Sequence, residues 1–367
     1  MTWSDRVRAE LDEIAASGRR RSLRVFDASG PRGTLDGRPV TSYASNDYLG
    51  LSSHPSVIAA AGEAAARWGT GATASRLVVG TRPAHADFEA DYAAAKGTEA
   101  ALALSSGYAA NLAVLTTFGT DGVTIVSDER NHASIIDGCR LARATTQIHR
   151  HNDVDHLRSL VERASGPTIV VVDSVFSMDG DVAPLAEIAS VCRDHDALLV
   201  VDEAHAALGP EVPLDLDVLR VGTMSKSLGS LGGVVAGSAA MIDLLVNRAR
   251  SFIFSTGLPP ADVAAAHAAL TIVESDEGDE LRRRLRRHVD RLLPGHPSPI
   301  VPLVLGEESA AMAASAALLE RGILVPAIRP PTVAPGTSRL RVALSAAHTD
   351  AMIDELVSAL DDLGIAP

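Results

Sequence analysis

The sequence predicts an α/β fold: a large domain with a mostly parallel sheet flanked by helices, followed by a small α+β C-terminal domain. Two observations carry this. Continuous apolar runs such as Thr168–Asp173 and Leu198–Asp202 alternate with segments of helical spacing, as strands buried on both faces do. Polar residues gather just after those runs, where open α/β sheets bind their ligands.

Length and composition set the frame. A chain of 367 residues suits one large domain plus a smaller one, and 46% apolar residues supply an ample core. The formal charge of -13 repels nucleic acid as a whole, although a local basic patch could still hold a phosphorylated ligand. Cys139 and Cys192 fall in helix-like segments and read as buried small hydrophobes of a reduced, intracellular protein. The charged, amphipathic N-terminus lacks a signal-type apolar core, and no apolar run is long enough to span a bilayer. A cytoplasmic protein without membrane or nucleic-acid partners is expected.

Taken in order, residues 5–16 predict a short amphipathic helix, and the basic run 19–24 follows. A short strand at 40–42 leads into the turn-rich stretch Ser45-Asn46-Asp47-Tyr48-Leu49-Gly50-Leu51. Pro55 opens a helix to Ala66, proline being suited to a first turn. Residues 69–80 read as a loop that buries Leu77, Val78 and Val79. The spacing of Phe88, Tyr92 and Ala95 predicts a helix over 82–95, ended by Lys96-Gly97. Strands are then expected at 101–105, 123–127, 147–149, 168–173, 198–202, 218–222 and 233–237, with helices between the earlier ones. A long helix over 261–293 is expected to break near Glu277-Gly278-Asp279. The smaller domain reads as strand 300–305, helix 309–321, strands 324–327 and 339–344, and helix 350–363. The division expected is 1–44, 45–280 and 281–367.

Lys96 and Lys226 are the chain's lysines; nearly every other basic residue is arginine. An amine nucleophile must shed its proton, which a desolvated lysine can do and arginine cannot. Lys96 at a helix end reads as solvent-facing, which leaves Lys226. No acidic residue lies within 221–233. Asp202-Glu203-Ala204-His205 invites comparison with the magnesium-binding strand of helicase-type NTPases, but that reading needs GxxxxGK[ST]. Alanine precedes Lys96 and serine precedes Lys226, so it fails. His149 and His151 alternate along an extended segment, yet no cysteine or carboxylate pattern supports a metal site.

A pyridoxal phosphate enzyme needs a Schiff-base lysine, a carboxylate for the pyridine nitrogen and a phosphate cradle. Lys226, Asp202 and Ser106-Gly107-Tyr108 offer one of each, at strand ends and in the right order. With these stand Asn46 to Leu51, His132-Ala133-Ser134, His151-Asn152-Asp153-Val154, Ser177-Met178-Asp179-Gly180-Asp181, Thr223-Met224-Ser225-Lys226, Phe254-Ser255-Thr256 and Arg329-Pro330-Pro331-Thr332-Val333. On these motifs the chain, from about Tyr43 to His348, resembles the α-oxoamine synthases of the pyridoxal phosphate fold-type I superfamily.

The resemblance implies roles. Lys226 would carry the cofactor and move the α-proton, and Asp202 would face the pyridine nitrogen. His132 would stack on the ring, with His205 and Ser177 near its phenolic oxygen. Gly107, Tyr108 and Thr223 would hold the phosphate, with Thr256 donated by the second subunit of a homodimer. Asn46 and Arg341 would meet a substrate carboxylate or the acyl group. Alternation of Arg341 with Leu340 and Val342 independently suits a carboxylate-binding strand position. The implied reaction joins L-alanine to a pimeloyl thioester, carried by coenzyme A or an acyl carrier protein, with loss of carbon dioxide. Other members, such as glycine C-acetyltransferases or secondary-metabolite acyltransferases, are the alternative, and an aminotransferase or a silent scaffolding subunit stand further off. The chain departs from the family where residues 206–211 run quickly into Val218, shortening a glycine-rich loop and leaving the acyl carrier open.

Overall fold

In the computed structural model, which describes residues 1–210, 212 and 215–366, the valine-rich runs become the strands of a central sheet. The chain opens with α1 (Trp3–Ala16), whose Thr2 cap accepts from the amide of Asp5 and which buries none of its residues. Strands β1 (Phe26–Ala28), β2 (Arg32–Leu35) and β3 (Arg38–Ser42) form an antiparallel meander. Helix α2 (Pro55–Trp68) starts on Pro55 with the His54 ring capping the amide of Ser56. Helix α3 (Pro83–Ala95) precedes β4 (Ala100–Leu104), α4 (Gly107–Phe118), β5 (Thr124–Asp128), α5 (Ala133–Leu141) and β6 (Thr145–His149). Next come α6 (Val154–Val161), β7 (Thr168–Asp173), α7 (Leu185–Asp194), β8 (Leu198–Asp202), β9 (Val218–Thr223) and β10 (Gly233–Gly237).

Among the described residues these strands make a seven-stranded sheet in the order β4-β10-β9-β8-β7-β5-β6, parallel except where β10 runs against its neighbours. Pleating sends alternate residues of β7 to opposite faces. Ile169 and Val171 pack with Ala110, Val114 and Ile135 of α4 and α5, whereas Val170 and Val172 pack with Leu157 and Ile188 of α6 and α7. Burial on both faces is why these strands read as unbroken apolar runs.

Beyond the sheet lie α8 (Ala239–Arg248), α9 (Arg250–Ile253), α10 (Pro260–Val273) and α11 (Asp276–Leu292). The remainder is β11 (Ile300–Gly306), α12 (Glu308–Glu320), β12 (Ile323–Leu324), β13 (Ala327–Ile328), β14 (Ser338–Ala343) and α13 (Asp350–Asp362). Strands β11, β14 and β13 form a separate antiparallel sheet. Strand β12 instead pairs in parallel with β3, Ile323 opposite Thr41, so the first and last parts of the chain share a sheet.

Several expectations need correction. The 324–327 strand divides into two, one in each sheet, because Val325 and Pro326 lie between the two pairings. The long helix breaks at Glu274 and Ser275, and Gly278 continues inside α11, where the acidic Asp276, Glu277 and Asp279 suit a helix N-terminus. Leu77, Val78 and Val79 are 53%, 73% and 62% exposed, on a π-helical turn over Arg76–Gly80 that holds them off the core. The Lys96 side chain is only 26% exposed: Nζ lies 3.4 Å from Oε1 of buried Glu203, which also binds Arg220 at 2.7 Å. Of the shortened loop, Glu211 lies outside the described residues. Cys139 and Cys192 are buried and free, as expected. No helix among the described residues is long and apolar enough to cross a membrane.

Candidate active site

Strands β7, β8 and β9 lie side by side in register, with Asp173 opposite Asp202 and Asp202 opposite Val221. Their carboxyl ends bring the polar motifs to one edge of the sheet. Asp202 is buried, and its carboxylate accepts from Nδ2 of Asn111 at 2.7 Å and from the amide of Ala204 at 2.8 Å. Asn111 also donates to the Ser134 hydroxyl at 2.9 Å, while its own Oδ1 is buried without a partner. Neighbouring Asp173 accepts from the amide of His132 at 2.8 Å, and burial, then the charge of Asp202, push its carboxyl well above the usual range.

Lys226 sits just past β9 in a tight loop closed by amide bonds from Met224 to Gly232, Gly229 to Lys226 and Ser230 to Met224, each 2.9 Å. Burial lowers its ammonium pKa to about 8, against the opposing charges of Asp202 and Asp173. Nζ lies 2.7 Å from Nε2 of His205. Burial, followed by the charge of Lys226, holds the His205 ring well below its ordinary range, so the ring is neutral. Its Nδ1 lies 2.6 Å from the Tyr48 hydroxyl, which donates to Oδ1 of Asn46 at 3.1 Å. One assignment satisfies every group: Nδ1–H donates to Tyr48, and Nε2 accepts from Lys226. Burial pushes the Tyr48 phenol up to about 12, so it keeps its proton.

The other expected residues surround this pair. Arg341 on β14 is buried, donating through Nε to the carbonyl of Ser177 at 2.6 Å and through Nη2 to Oδ1 of Asn46 at 3.2 Å. His132 caps α5, bonded to Ser134 through Nδ1 at 2.8 Å, with its ring exposed on the site side of the sheet edge. Ser106 caps α4 by accepting from the amide of Ala109 at 3.1 Å. The first amides of that helix have no intrahelical acceptors and favour an anion. A Cβ placed on Gly107 would come within 3.3 Å of Cβ of Thr223, so helix start and threonine form one small cradle that a side chain would fill. Thr223 Oγ1 is 2.7 Å from the Ser225 hydroxyl and donates to the carbonyl of Gly232 at 2.9 Å.

Tyr108 is exposed, and its hydroxyl binds the carboxylate of Asp137 on α5. Thr256 stands apart: it is exposed, forms an isolated bridge with Ser75, and makes no hydrogen bond to the cradle among the described residues. Lysine, carboxylate and cradle thus converge on one edge as the motifs require, and the donor set fits pyridoxal phosphate. Residue-type reasoning missed Asn111, Asp173 and the contact of Tyr48 with His205. A signal existed for Asn111, a lone amide among the apolar residues of α4 that cannot be buried without a polar partner.

A cavity of about 820 Å³ opens beside Ser177, lined by Arg130, Phe176, Met178, Pro331 and Arg339. At its wall the single carboxylate of Asp179 meets two guanidinium groups, Arg339 at 2.6 Å and Arg130 at 3.1 Å.

The family model for aminotransferase class I and II matches residues 38–360. An 8-amino-7-oxononanoate synthase from Methylobacterium nodulans is 47% identical, covering 98% of this chain and 96% of the relative. Among solved structures, a serine palmitoyltransferase from S. paucimobilis holding a PLP–myriocin aldimine superposes with a TM-score of 0.91 at 31% identity, covering 98% of each chain. An 8-amino-7-oxononanoate synthase from Francisella tularensis gives 0.73 at 26% identity, covering 88% of this chain and 96% of that one.

Proposed function

The chain belongs to the aminotransferase class I and II family, and from that premise we propose that it condenses L-alanine with a pimeloyl thioester to give 8-amino-7-oxononanoate for biotin synthesis. Pyridoxal 5'-phosphate, when bound, supplies an electron sink for the charge that develops at the amino-acid α-carbon. The observation that carries the reading is the desolvated Lys226 amine, 2.7 Å from a neutral histidine and one strand from Asp202.

Each residue then has a task. The Lys226 amine, poised near neutrality, takes the α-proton and returns one at the end, and His205 orients its lone pair. Asp202, fixed by Asn111 and the amide of Ala204, offers its carboxylate to the ring nitrogen of the cofactor. The α4 N-terminus with Gly107, Tyr108 and Thr223 would receive the phosphate, and His132 and Ser177 would contact the rest of the cofactor. Arg341 and Asn46 hold the substrate carboxylate. Across the reaction a carbon–carbon bond forms between the alanine α-carbon and the thioester carbonyl. The carbon–sulfur bond breaks to release the thiol, and the carboxyl group leaves as carbon dioxide. The acyl carrier is coenzyme A or an acyl carrier protein. Two guanidinium groups around one carboxylate leave positive charge at the cavity wall, which supports an acyl chain that itself ends in a carboxylate.

The exposed Leu77, Val78, Val79 and Phe254 beside the Ser75–Thr256 bridge support a homodimer, in which Thr256 of each subunit completes the other's phosphate cradle. We assign the chain to the cytoplasm and divide it at 1–44, 45–280 and 281–367. Likeness to serine palmitoyltransferases favours, as the second reading, an α-oxoamine synthase with a different amino acid and acyl chain. One assay separates them: thiol release and labelled carbon dioxide, followed with alanine, glycine or serine against pimeloyl, acetyl and palmitoyl thioesters. Turnover confined to alanine with the pimeloyl donor is expected; none with that pair would overturn the proposal.

A further inference from the structure

His151 lies outside the group around Lys226, yet its ring is clamped between two carboxylates. Nδ1 is 3.0 Å from Oδ1 of Asp128 at the end of β5, and Nε2 is 2.6 Å from Oδ2 of Asp181. Carboxylates only accept, so both ring nitrogens carry protons and the ring is an imidazolium. The Phe176 ring packs at right angles to it with centroids 4.4 Å apart. Asn152, held at a φ of 54°, adds a backbone donor to Asp128 at 2.9 Å and a side-chain donor to Asp181 at 3.2 Å.

Asp181 closes the turn that carries Ser177. The amide of Phe176 donates to the Asp181 carbonyl at 3.0 Å, and the amide of Gly180 to the Phe176 carbonyl at 2.8 Å. The opposite side of that turn is read by β14. Arg339 binds the Met178 carbonyl at 3.2 Å and the Asp179 carboxylate at 2.6 Å, and Arg341 binds the Ser177 carbonyl at 2.6 Å. From Arg341 the bonds continue through Asn46 and Tyr48 to His205 and Lys226.

We propose that His151 is a positioning residue: clamped between Asp128 and Asp181, it fixes the Ser177–Asp181 turn and thereby sets Arg341 to receive the amino-acid carboxylate. The proposal rests on the reading of Arg341 given above. Without the imidazolium, Asp128 and Asp181 face each other unneutralised, and the turn loses its charged anchor on the large sheet, with the Asn152 donors alone left between the two carboxylates. Other ionisable groups near the ring do not replace it. The Glu129 carboxylate accepts from the His151 amide at 3.2 Å, His149 lies beside Asp128 at 3.9 Å, and His296 binds the Ile300 carbonyl at 2.6 Å. Burial alone would lower the ring's pKa, but the hydrogen bonds to Asp128 and Asp181 prevail and raise it to about 9. The clamp is therefore charged at neutral pH and loosens above about 9.

The test uses cofactor-loaded protein and alanine binding read from the cofactor spectrum, without an acyl donor. His151→Gln should raise the alanine Kd about tenfold while the absorbance of the bound cofactor stays unchanged, since misplacement of a positioning group weakens substrate more than cofactor. Exchange of the Phe176 and Gly180 amides should quicken in the same variant. The parent's alanine affinity should carry a limb falling above pH 9 that the variant lacks. If His151→Gln does not fold, Asp181→Asn decides, with a rise in Kd expected there too. Unchanged alanine affinity in the folded variant overturns the proposal, as does equal loss of cofactor and alanine binding. Arg341→Lys is the control. If that change leaves alanine affinity intact, the reading of Arg341 fails; if it weakens alanine while His151→Gln does not, only the His151 proposal fails.

Discussion

Lys226 is the residue where burial and chemistry meet most directly. Its pKa of about 8 means that the folded protein below that pH holds an ammonium group in poorly solvated surroundings. The unfolded chain, with an ordinary lysine near 10.5, bears no such penalty. As pH rises from about 8 towards 10.5 the folded state loses its proton first, so stability increases across that window. Lys226→Met in cofactor-free protein should therefore be more stable than the parent at pH 7 by about 1–3 kcal/mol. The gap should close as pH approaches 10.5, and urea unfolding at several pH values measures it; a gap constant with pH would contradict the desolvation argument. In loaded protein the same change should abolish the visible absorbance of the lysine-bound cofactor, whereas Lys96→Met should keep it. The two lysines also differ in their nearest partners. Lys96 has the carboxylate of Glu203 at 3.4 Å, whereas Lys226 has a neutral imidazole.

At the scale of elements, α4 joins local sequence to function. Ser106 caps it, Gly107 begins it, and Asn111 one turn later reaches Asp202. Gly107→Val would push side-chain carbons into the space before Thr223, where even a Cβ meets the threonine at 3.3 Å. Cofactor affinity, measured by titration of the apoprotein, should fall at least about tenfold with a smaller change in melting temperature, Gly107 being half-buried at a helix start where valine is a better helix former than glycine. Unaltered affinity would remove the phosphate from this helix. The capped start of α4, the parallel strands and the loop that carries Lys226 were legible in the sequence because strand periodicity and turn chemistry are local. The resemblance to the α-oxoamine synthases read from those motifs is borne out by the relatives. The β2–β3 hairpin was equally local, with Asp36-Gly37 at φ of 51° and 81° between Leu35 and Arg38, yet it escaped notice because its strands are short and half exposed. What could not be read locally was pairing between distant residues: Lys96 with Glu203, Asn111 with Asp202, and Arg341 with Ser177.

At the scale of the molecule, the exposure of Leu77, Val78 and Val79 is the counterpart of expecting them buried: their apolar character calls for a cover that one chain does not supply. If the proposed dimer forms through this face, Val78→Asp should shift sedimentation from dimer towards monomer and weaken cofactor retention together, because the proposal has Thr256 arrive from the partner. A dimer as stable as the parent's would place the interface elsewhere. The parallel pairing of Thr41 with Ile323 bears on how the protein is made. Strand β3 leaves the ribosome early, with one edge waiting for a strand that is translated after most of the chain. The large sheet can assemble meanwhile, because its strands lie within 100–237. Arg341 and its contact with the Ser177 turn come later still. Premature termination beyond the large sheet but before β12 would thus leave an open-edged, inactive product suited to capture by chaperones.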